Sequence, residues 1–378
     1  MTAETFVADR SSTRELATWI AARRELFAWW AGSRALVLGV ALLGHFTRYP
    51  HGYFGRHAYA WRHAFGILGA WDGTWYRRIA QHGYLLVPGR QSDPAFFPLW
   101  PVILRLAHGL GISYLAAAIV LANACFLGAI LVVDALGRRW LPAADARRAA
   151  VLLAVFPLGA VFSMAYPESL VLLLLAGATL AALDDRWLLA AACAGGAALA
   201  RPEGVLVALP LAAVAWRRRR RGAALGAVLA PVAALVSFPL YLGQVLHDPG
   251  AWGRAEKAWG RSFRWDGVYR AFDTVPAMLR HNAWLTRDVV FFVVYLALLA
   301  VAYRAGVSRG WIAAGAGMVL LPLASGSLLS DGRFGLLAIP VYWGLAVAAR
   351  DRRVHGVLLA VSLVLLAGVT LTIPSLFP

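Results

Sequence analysis

The chain reads as an all-α protein, a polytopic bundle of transmembrane helices. Three observations predict this. The 378 residues are 61% hydrophobic and only 15% charged, with a mean hydropathy of +0.65, whereas a soluble domain carries about a quarter charged residues. Apolar runs of about 17–25 residues recur along the whole length, each long enough to cross a bilayer as a helix. The basic residues fall in short clusters between those runs, as they do where helix ends meet the cytoplasm. Residues 1–378 are therefore expected to form a single integral membrane domain, with no room for a separate soluble one.

The first span is predicted at about 28–46. Arg10, Arg14, Arg23 and Arg24 precede it, and no small-residue cleavage pattern follows, so it is expected to be retained. Trp29 and Trp30 open it as an interfacial belt, and Arg34 near its cytoplasmic end is expected to snorkel. Further spans are predicted at about 113–136, 148–165, 168–183, 187–200, 204–216, 223–246, 288–304, 310–329, 334–349 and 354–375. The runs at 187–200 and 204–216 are short and are expected to tilt or re-enter. That makes about eleven spans.

Orientation turns on the segment Ala95–Leu110, which is apolar but short, broken by Pro98 and Pro101, and carries Arg105 and His108. If it crossed the membrane, Arg138-Arg139, Arg147-Arg148, the Arg217–Arg221 run, Arg304 with Arg309, and Arg350 with Arg352 and Arg353 would all lie outside. If it skims the surface they all lie in the cytoplasm, as the positive-inside rule requires. The segment then becomes a juxtamembrane helix in one long external loop of about 47–112. A second external loop covers about 247–287. The N-terminus is cytoplasmic, and four features share the external side: the Asp72 loop, Tyr166-Pro167-Glu168-Ser169, Ala200-Arg201-Pro202-Glu203-Gly204 and Ser330-Asp331-Gly332-Arg333-Phe334.

The net charge of +17 follows from that topology, with attraction to anionic headgroups as a second use. Nucleic acid is not an expected partner, since the basic residues form short runs between apolar spans and no continuous face. Cys125 and Cys193 both fall inside spans and suit small buried apolar positions rather than a disulfide framework.

The richest stretch is Trp71-Asp72-Gly73-Thr74-Trp75-Tyr76, followed by Ile79-Ala80-Gln81-His82-Gly83-Tyr84. It sets one carboxylate among aromatics beside a hydrophobic slab. Such a carboxylate is expected to have a raised pKa and to act as a base, with Trp71, Trp75 and Tyr76 as a stacking face for a sugar ring. The structural alternative is a helix-capping Asp. Glu168, at the mouth of a span, either complements a helix dipole or is a second acid that orients an acceptor. Asp72 and Glu168 together are candidate ligands for a divalent cation such as Mg or Mn. Arg333, and after it Arg201, are candidates for gripping a phosphate, with charge pairs to Asp331 or Glu203 as the alternative. The loop 248–266 interleaves Trp252, Trp259 and Trp265 with Arg254, Lys257, Arg261 and Arg264, which suits either a membrane interface or the rim of a site. His82 is placed to help position a substrate. His45, His51, His57 and His63 recur every six residues, a step that does not keep one helical face, so they predict no metal site.

Taken in order, these motifs resemble the GPI mannosyltransferase II (PIG-V) family and its bacterial relatives, membrane glycosyltransferases of the GT-C class. The likeness extends through Ala95-Phe96-Phe97-Pro98-Leu99-Trp100-Pro101, Tyr166-Pro167-Glu168-Ser169-Leu170, Ala200-Arg201-Pro202-Glu203-Gly204, Trp259-Gly260-Arg261, Gly332-Arg333-Phe334 and Pro340. Trp100 stands where the family commonly has Tyr, and Phe334 where Tyr usually follows the arginine. The resemblance implies a GT-C-like bundle with juxtamembrane helices in the first external loop. It implies a polyprenyl-phosphate sugar donor, usually of mannose, an inverting transfer, and a catalytic acid that maps onto Asp72. The expected partners are that donor, a glycolipid or glycan acceptor, and membrane lipids. The site expected from the sequence is Asp72 and Glu168 for catalysis, with Arg333, Arg201, Trp71, Trp75, Tyr76, His82, Tyr84, Trp259 and Arg261 for substrate. The rival class is a polytopic transporter or lipid flippase, for which mid-membrane charges and paired half-repeats are the signature.

Overall fold

The structure, a computed structural model, describes residues 18, 20–48, 64–218, 222–281 and 283–373. Predictions on His51, His57, His63, Arg10, Arg14 and Arg219–Arg221 fall outside those residues. Among the described residues there is no strand. The protein is an all-helical membrane protein.

Among the described residues five helices are long and apolar enough to cross a bilayer by length and composition. They are α1 (Arg24–Arg48), α4 (Tyr114–Gly137), α9 (Gly222–Val245), α13 (Ala283–Arg304) and α16 (Arg352–Thr372). Val120, Leu229, Val293 and Val364 on four of them are exposed yet apolar, as acyl chains require and water does not. Between them lie shorter helices: α5 (Ala143–Ala154), α6 (Glu168–Leu183), α7 (Trp187–Ala200), α8 (Ala208–Arg218), α14 (Arg309–Leu320) and α15 (Ile339–Ala348). The bundle is knitted by α4 on α6, α6 on α7, α7 on α9, and α13 on α15.

Four predicted spans are half helix and half irregular. The run 148–165 is helical only to Ala154, and a 3-10 turn occupies Gly159–Ser163. Pro157, with no N–H and a ring that clashes with the preceding turn, sits at the break. The run 204–216 begins with a 3-10 turn at Pro202–Val207, 310–329 ends in one at Leu321–Ser325, and 334–349 starts in one at Gly335–Leu337. Irregular backbone is tolerated at membrane depth only where protein or a polar cavity satisfies it. Arg34 shows how. Expected to snorkel, it turns inward instead, is only 3% exposed, and donates to Ala154 O at 3.1 Å, Gly159 O at 3.0 Å and Ser163 Oγ at 3.0 Å. The broken helix leaves carbonyls that a guanidinium can take, which outweighs the gain of reaching the interface.

The two ends of the bundle differ. At one end Asp134 accepts from Arg138 and Arg147, Asp145 pairs with Arg148 and Arg350, Asp184 with Arg139, and Asp185 with Arg218. At the other end lie the first residues of α6 and the last of α7. There the external loops of the sequence analysis supply α2 (Asp72–His82), α3 (Leu99–Gly109), α10 (Ala251–Ala258), α11 (Gly267–Asp273) and α12 (Val275–His281). With 11 residues, α3 is about 16 Å long, roughly half a bilayer core. It buries Trp100 and Leu104 and exposes Val102 and Leu106, the profile of a helix lying at the membrane surface.

Candidate active site

Two of the irregular turns, Pro202–Val207 and Leu321–Ser325, together with Tyr166, residues of the 327–334 segment, α2 and α10, line a cavity of about 1170 Å³.

α2 begins directly on Asp72. Trp71 before it takes a positive φ of 56°, rare for a bulky residue, and its indole N–H is tied to Ile373 O at 2.9 Å. Asp72 N–H donates to the Tyr166 hydroxyl at 3.2 Å. A Cβ on Gly73 would lie 3.1 Å from Ala165 Cβ, so α2 docks tightly against residues 165–166. The Asp72 side chain crosses to Arg333, whose Nη1 donates to Oδ2 at 2.6 Å.

Arg333 lies on a helical turn, Asp331–Phe334, held from two sides. Asp288 accepts from Ser330 N–H at 2.9 Å and from Gly332 N–H at 3.1 Å, and the Tyr295 hydroxyl donates to Gly332 O at 2.7 Å. Gly332 is required there, because a Cβ would stand 2.9 Å from both Asp288 Oδ1 and Leu158 Cδ1. Asp331 is not Arg333's partner. Both its carboxyl oxygens are buried without a hydrogen bond among the described residues, and burial, with Asp288 nearby, pushes its pKa up to about 8.

The second arginine follows α7. Arg201 Nη1 donates to Glu168 Oε1 at 2.5 Å, and its Nε and Nη2 reach the two oxygens of Glu203 at 3.1 and 3.2 Å. Glu168 is fully buried, and its Oε1 also lies 3.9 Å from Arg333 Nε. The turn that carries Arg201 and Glu203 needs Gly204, where a Cβ would collide with the Ala197 carbonyl at 2.2 Å. Three guanidiniums, those of Arg201, Arg261 and Arg333, lie over the Phe334 ring at 5.3–5.9 Å, a cation–π arrangement that holds them together without consuming N–H donors.

The charge order corrects one expectation. Burial alone would raise the Asp72 carboxyl, but Arg333, Arg261 and Arg201 outweigh it and hold the pKa below the usual carboxylate value. Glu203 is likewise lowered, burial being overcome by Arg201. The low-dielectric wall is present, but the arginines behind it decide the ionisation. Among the described residues no group of three or more His, Cys, Asp or Glu is arranged to hold a metal ion. Asp72 and Glu168, the expected cation ligands, each face an arginine.

Trp71, Asp72, Trp75, Tyr76, Arg201, Trp259, Arg261 and Arg333 all line the cavity. Trp75 stacks on Phe96 at 5.8 Å and meets the Trp259 edge at 5.4 Å. His82 and Tyr84 stand outside the lining. His82 ends α2, about 15 Å along the helix from Asp72, and is exposed. Tyr84 donates to Phe96 O at 2.9 Å and packs on Phe238, so its role is to brace the first loop. The Trp-rich loop divides: Trp252, Trp259 and Arg261 face the cavity, while Trp265 is 95% exposed beside the Arg264–Asp266–Arg270 ion pairs. Tyr166 and Glu203 stood in the external-side motifs without a role in the site, and the charge-pair alternative holds for Arg201 with Glu203. Asp288 and Glu256 were missed; of these only Asp288 carried a signal, an acid at the head of an apolar run.

No protein-family model and no curated protein matches the chain. A solved structure does: the crystal structure of ArnT from Cupriavidus metallidurans bound to undecaprenyl phosphate, with a TM-score of 0.50 and 18% sequence identity. The fold is similar to that of ArnT. The match covers 88% of this chain and 62% of ArnT, so the chain spans about three-fifths of that protein's length.

Proposed function

We propose that the protein is a membrane glycosyltransferase that moves a sugar, mannose by its motif resemblance to the PIG-V family, from a polyprenyl phosphate to an acceptor hydroxyl on the extracytoplasmic face. The observation that carries this reading is the Asp72–Arg333 pair in the wall of a large cavity at the end of the bundle away from the arginine network. The ArnT whose fold it resembles was crystallised with undecaprenyl phosphate, which supports a donor of that class. The positive-inside rule puts the arginine network in the cytoplasm and the cavity outside.

In this reading Arg333, with Arg201 and Arg261 near it, holds the donor phosphate by charge-assisted hydrogen bonds. The acceptor oxygen attacks the anomeric carbon, the bond from that carbon to the phosphate oxygen breaks, and the polyprenyl phosphate leaves with the electron pair. The acceptor proton passes to Asp72. The growing phosphate charge is met by guanidiniums already fixed in place, so little reorganisation is needed. One direct displacement inverts the anomeric centre.

The resting ion pair has a consequence for timing. Asp72 is ionised but a weak base while Arg333 holds it. A donor phosphate that draws on Arg333 weakens that hold and adds its own negative charge, and both raise the Asp72 pKa toward a useful value. Asp72 becomes an effective base when the donor is bound. Glu168 positions Arg201 between the two acids. The guanidiniums already supply the positive charge that a divalent cation would bring, and a cation at Asp72 and Glu168 would have to displace them.

The test is transfer from a polyprenyl-phosphate sugar to a trial acceptor by the purified protein and its Asp72→Asn variant. The reading predicts transfer by the first and its near loss in the second. Undiminished transfer by the variant would remove Asp72 from its role, and substrate movement across vesicles without bond formation would favour a transporter.

A further inference from the structure

The geometry points to α10 as an acceptor subsite: its Trp252, Glu256 and Trp259 form one face that binds a sugar ring, with Glu256 accepting hydrogen bonds from the ring hydroxyls. This deepens the proposed transferase reading and rests on it.

Three carboxylates line the cavity: Asp72, Glu203 and Glu256. Asp72 is taken by Arg333 and Glu203 by Arg201 at hydrogen-bonding distance. Glu256 makes no salt bridge among the described residues, although Arg261 is near enough to act on it through space. The Trp252 indole also acts on it as a hydrogen-bond donor, and with no ion pair it keeps oxygen lone pairs for a ligand. Residues 252, 256 and 259 follow the i, i+4, i+7 spacing of one helical face, and all three line the cavity.

The face is also rigid. Ala251 and Ala255 are fully buried and seat the helix against the first loop and α9. Trp259 donates to Ser92 O at 3.3 Å and is wedged edge-on against Trp75 at 5.4 Å and Phe96 at 5.4 Å. Trp252 meets Phe97 edge-on at 6.1 Å. Arg261 N–H returns to Glu256 O at 2.9 Å through Gly260, whose φ is +72°, so the chain folds back over the helix end. Aromatic planes suit the C–H face of a sugar, and a carboxylate suits its hydroxyls, a few polar groups among apolar walls being the usual make-up of a small-molecule pocket. A lipid tail would use the indoles but not the carboxylate. A phosphate would be repelled by it. The combination selects a neutral polyhydroxylated ring; the arginines that suit the donor phosphate line the same cavity, with Arg261 beside Glu256 and Arg333 paired to Asp72.

The test uses the full chain in lipid nanodiscs, with tryptophan fluorescence as readout, octyl α-mannoside below its micelle concentration as the acceptor probe and undecaprenyl phosphate as the donor-side probe. We expect saturable octyl mannoside binding by the unaltered protein. Glu256→Gln and Trp259→Ala should weaken it about 10- to 100-fold, the worth of a charge-assisted hydrogen bond or an aromatic contact, with Glu256→Asp between. Undecaprenyl phosphate binding should stay within about twofold in each, a selectivity that general unfolding would not produce. Octyl mannoside binding unchanged in Glu256→Gln, or equal loss of both probes, would overturn the subsite. So would an unaltered protein that binds undecaprenyl phosphate but not octyl mannoside, which leaves the transferase reading standing. Failure to bind either probe would remove both.

Discussion

The cavity has two unlike walls. One, built by α2 and the turns that carry Arg201 and Arg333, is a lattice of alternating charges: Asp72, Arg333, Arg201 and Glu203, with the buried Glu168 behind them. The other, built by α10, offers indoles around a carboxylate without a salt bridge among the described residues. The same residue type therefore behaves in opposite ways across one space. Arginines hold Asp72 below the usual carboxylate value, whereas burial, reinforced by the Glu203 charge and only partly offset by Arg261, pushes Glu256 up to about 7. The difference teaches that ionisation here is set by which counter-charge each loop delivers. Environments that push two acids apart in this way commonly divide their labour.

The largest effect expected from breaking the comparison is at Asp72. Asp72→Asn should lower sugar transfer by about 10³-fold, within the range of a lost general base, with donor binding retained. Arg333→Ala should follow, lowering kcat/KM about 10²- to 10³-fold and weakening undecaprenyl phosphate binding, because it removes both the phosphate contact and the Asp72 partner. Arg333→Lys should recover only part, having one point charge in place of a fork.

The pH profiles sharpen the contrast. In the unliganded enzyme Asp72 titrates below the usual carboxylate range, so the acid limb of kcat/KM should fall there. In Arg333→Ala, and in kcat with donor bound, that limb should move to higher pH. A limb at the same pH in every case would mean that Arg333 does not set the base. On the other wall, octyl mannoside affinity should fall as pH drops through about 7, because protonation removes the charge on Glu256. Arg261, Arg201 and Glu203 also act on that carboxyl, so Glu256→Gln is the control, and its affinity should be flat across the range. The smallest effect belongs to Trp265, which is exposed and away from the lining. Trp265→Ala should change transfer by less than about twofold.

How much was legible beforehand varied with the kind of force. Runs such as 114–137, 168–183 and 187–200 were placed within a residue or two because an apolar stretch and the charged or proline residues that bound it are local properties. The breaks at Pro157, Pro202 and Pro322 were harder, since a proline inside an apolar run is compatible with a kinked continuous helix as well as with a break. Whether the helix resumes depends on what satisfies the freed carbonyls. Arg34, 120 residues before Ala154, does so, and nothing local signals it. The Asp72–Arg333 contact joins residues 261 positions apart, and although both were singled out, their pairing and the lowered Asp72 pKa were not foreseen. Glu256 lay unnoticed between two tryptophans because a Glu on a short loop helix is ordinary.

Composition and periodicity alone determined that the chain is a membrane helical bundle with aromatic, acid-bearing loops, because water and lipid act on each segment separately. Tertiary structure decided which acids pair with arginines and which, among the described residues, make no salt bridge. Such pairing depends on distance and burial between segments far apart in the chain, and those are fixed only when the broken helices meet.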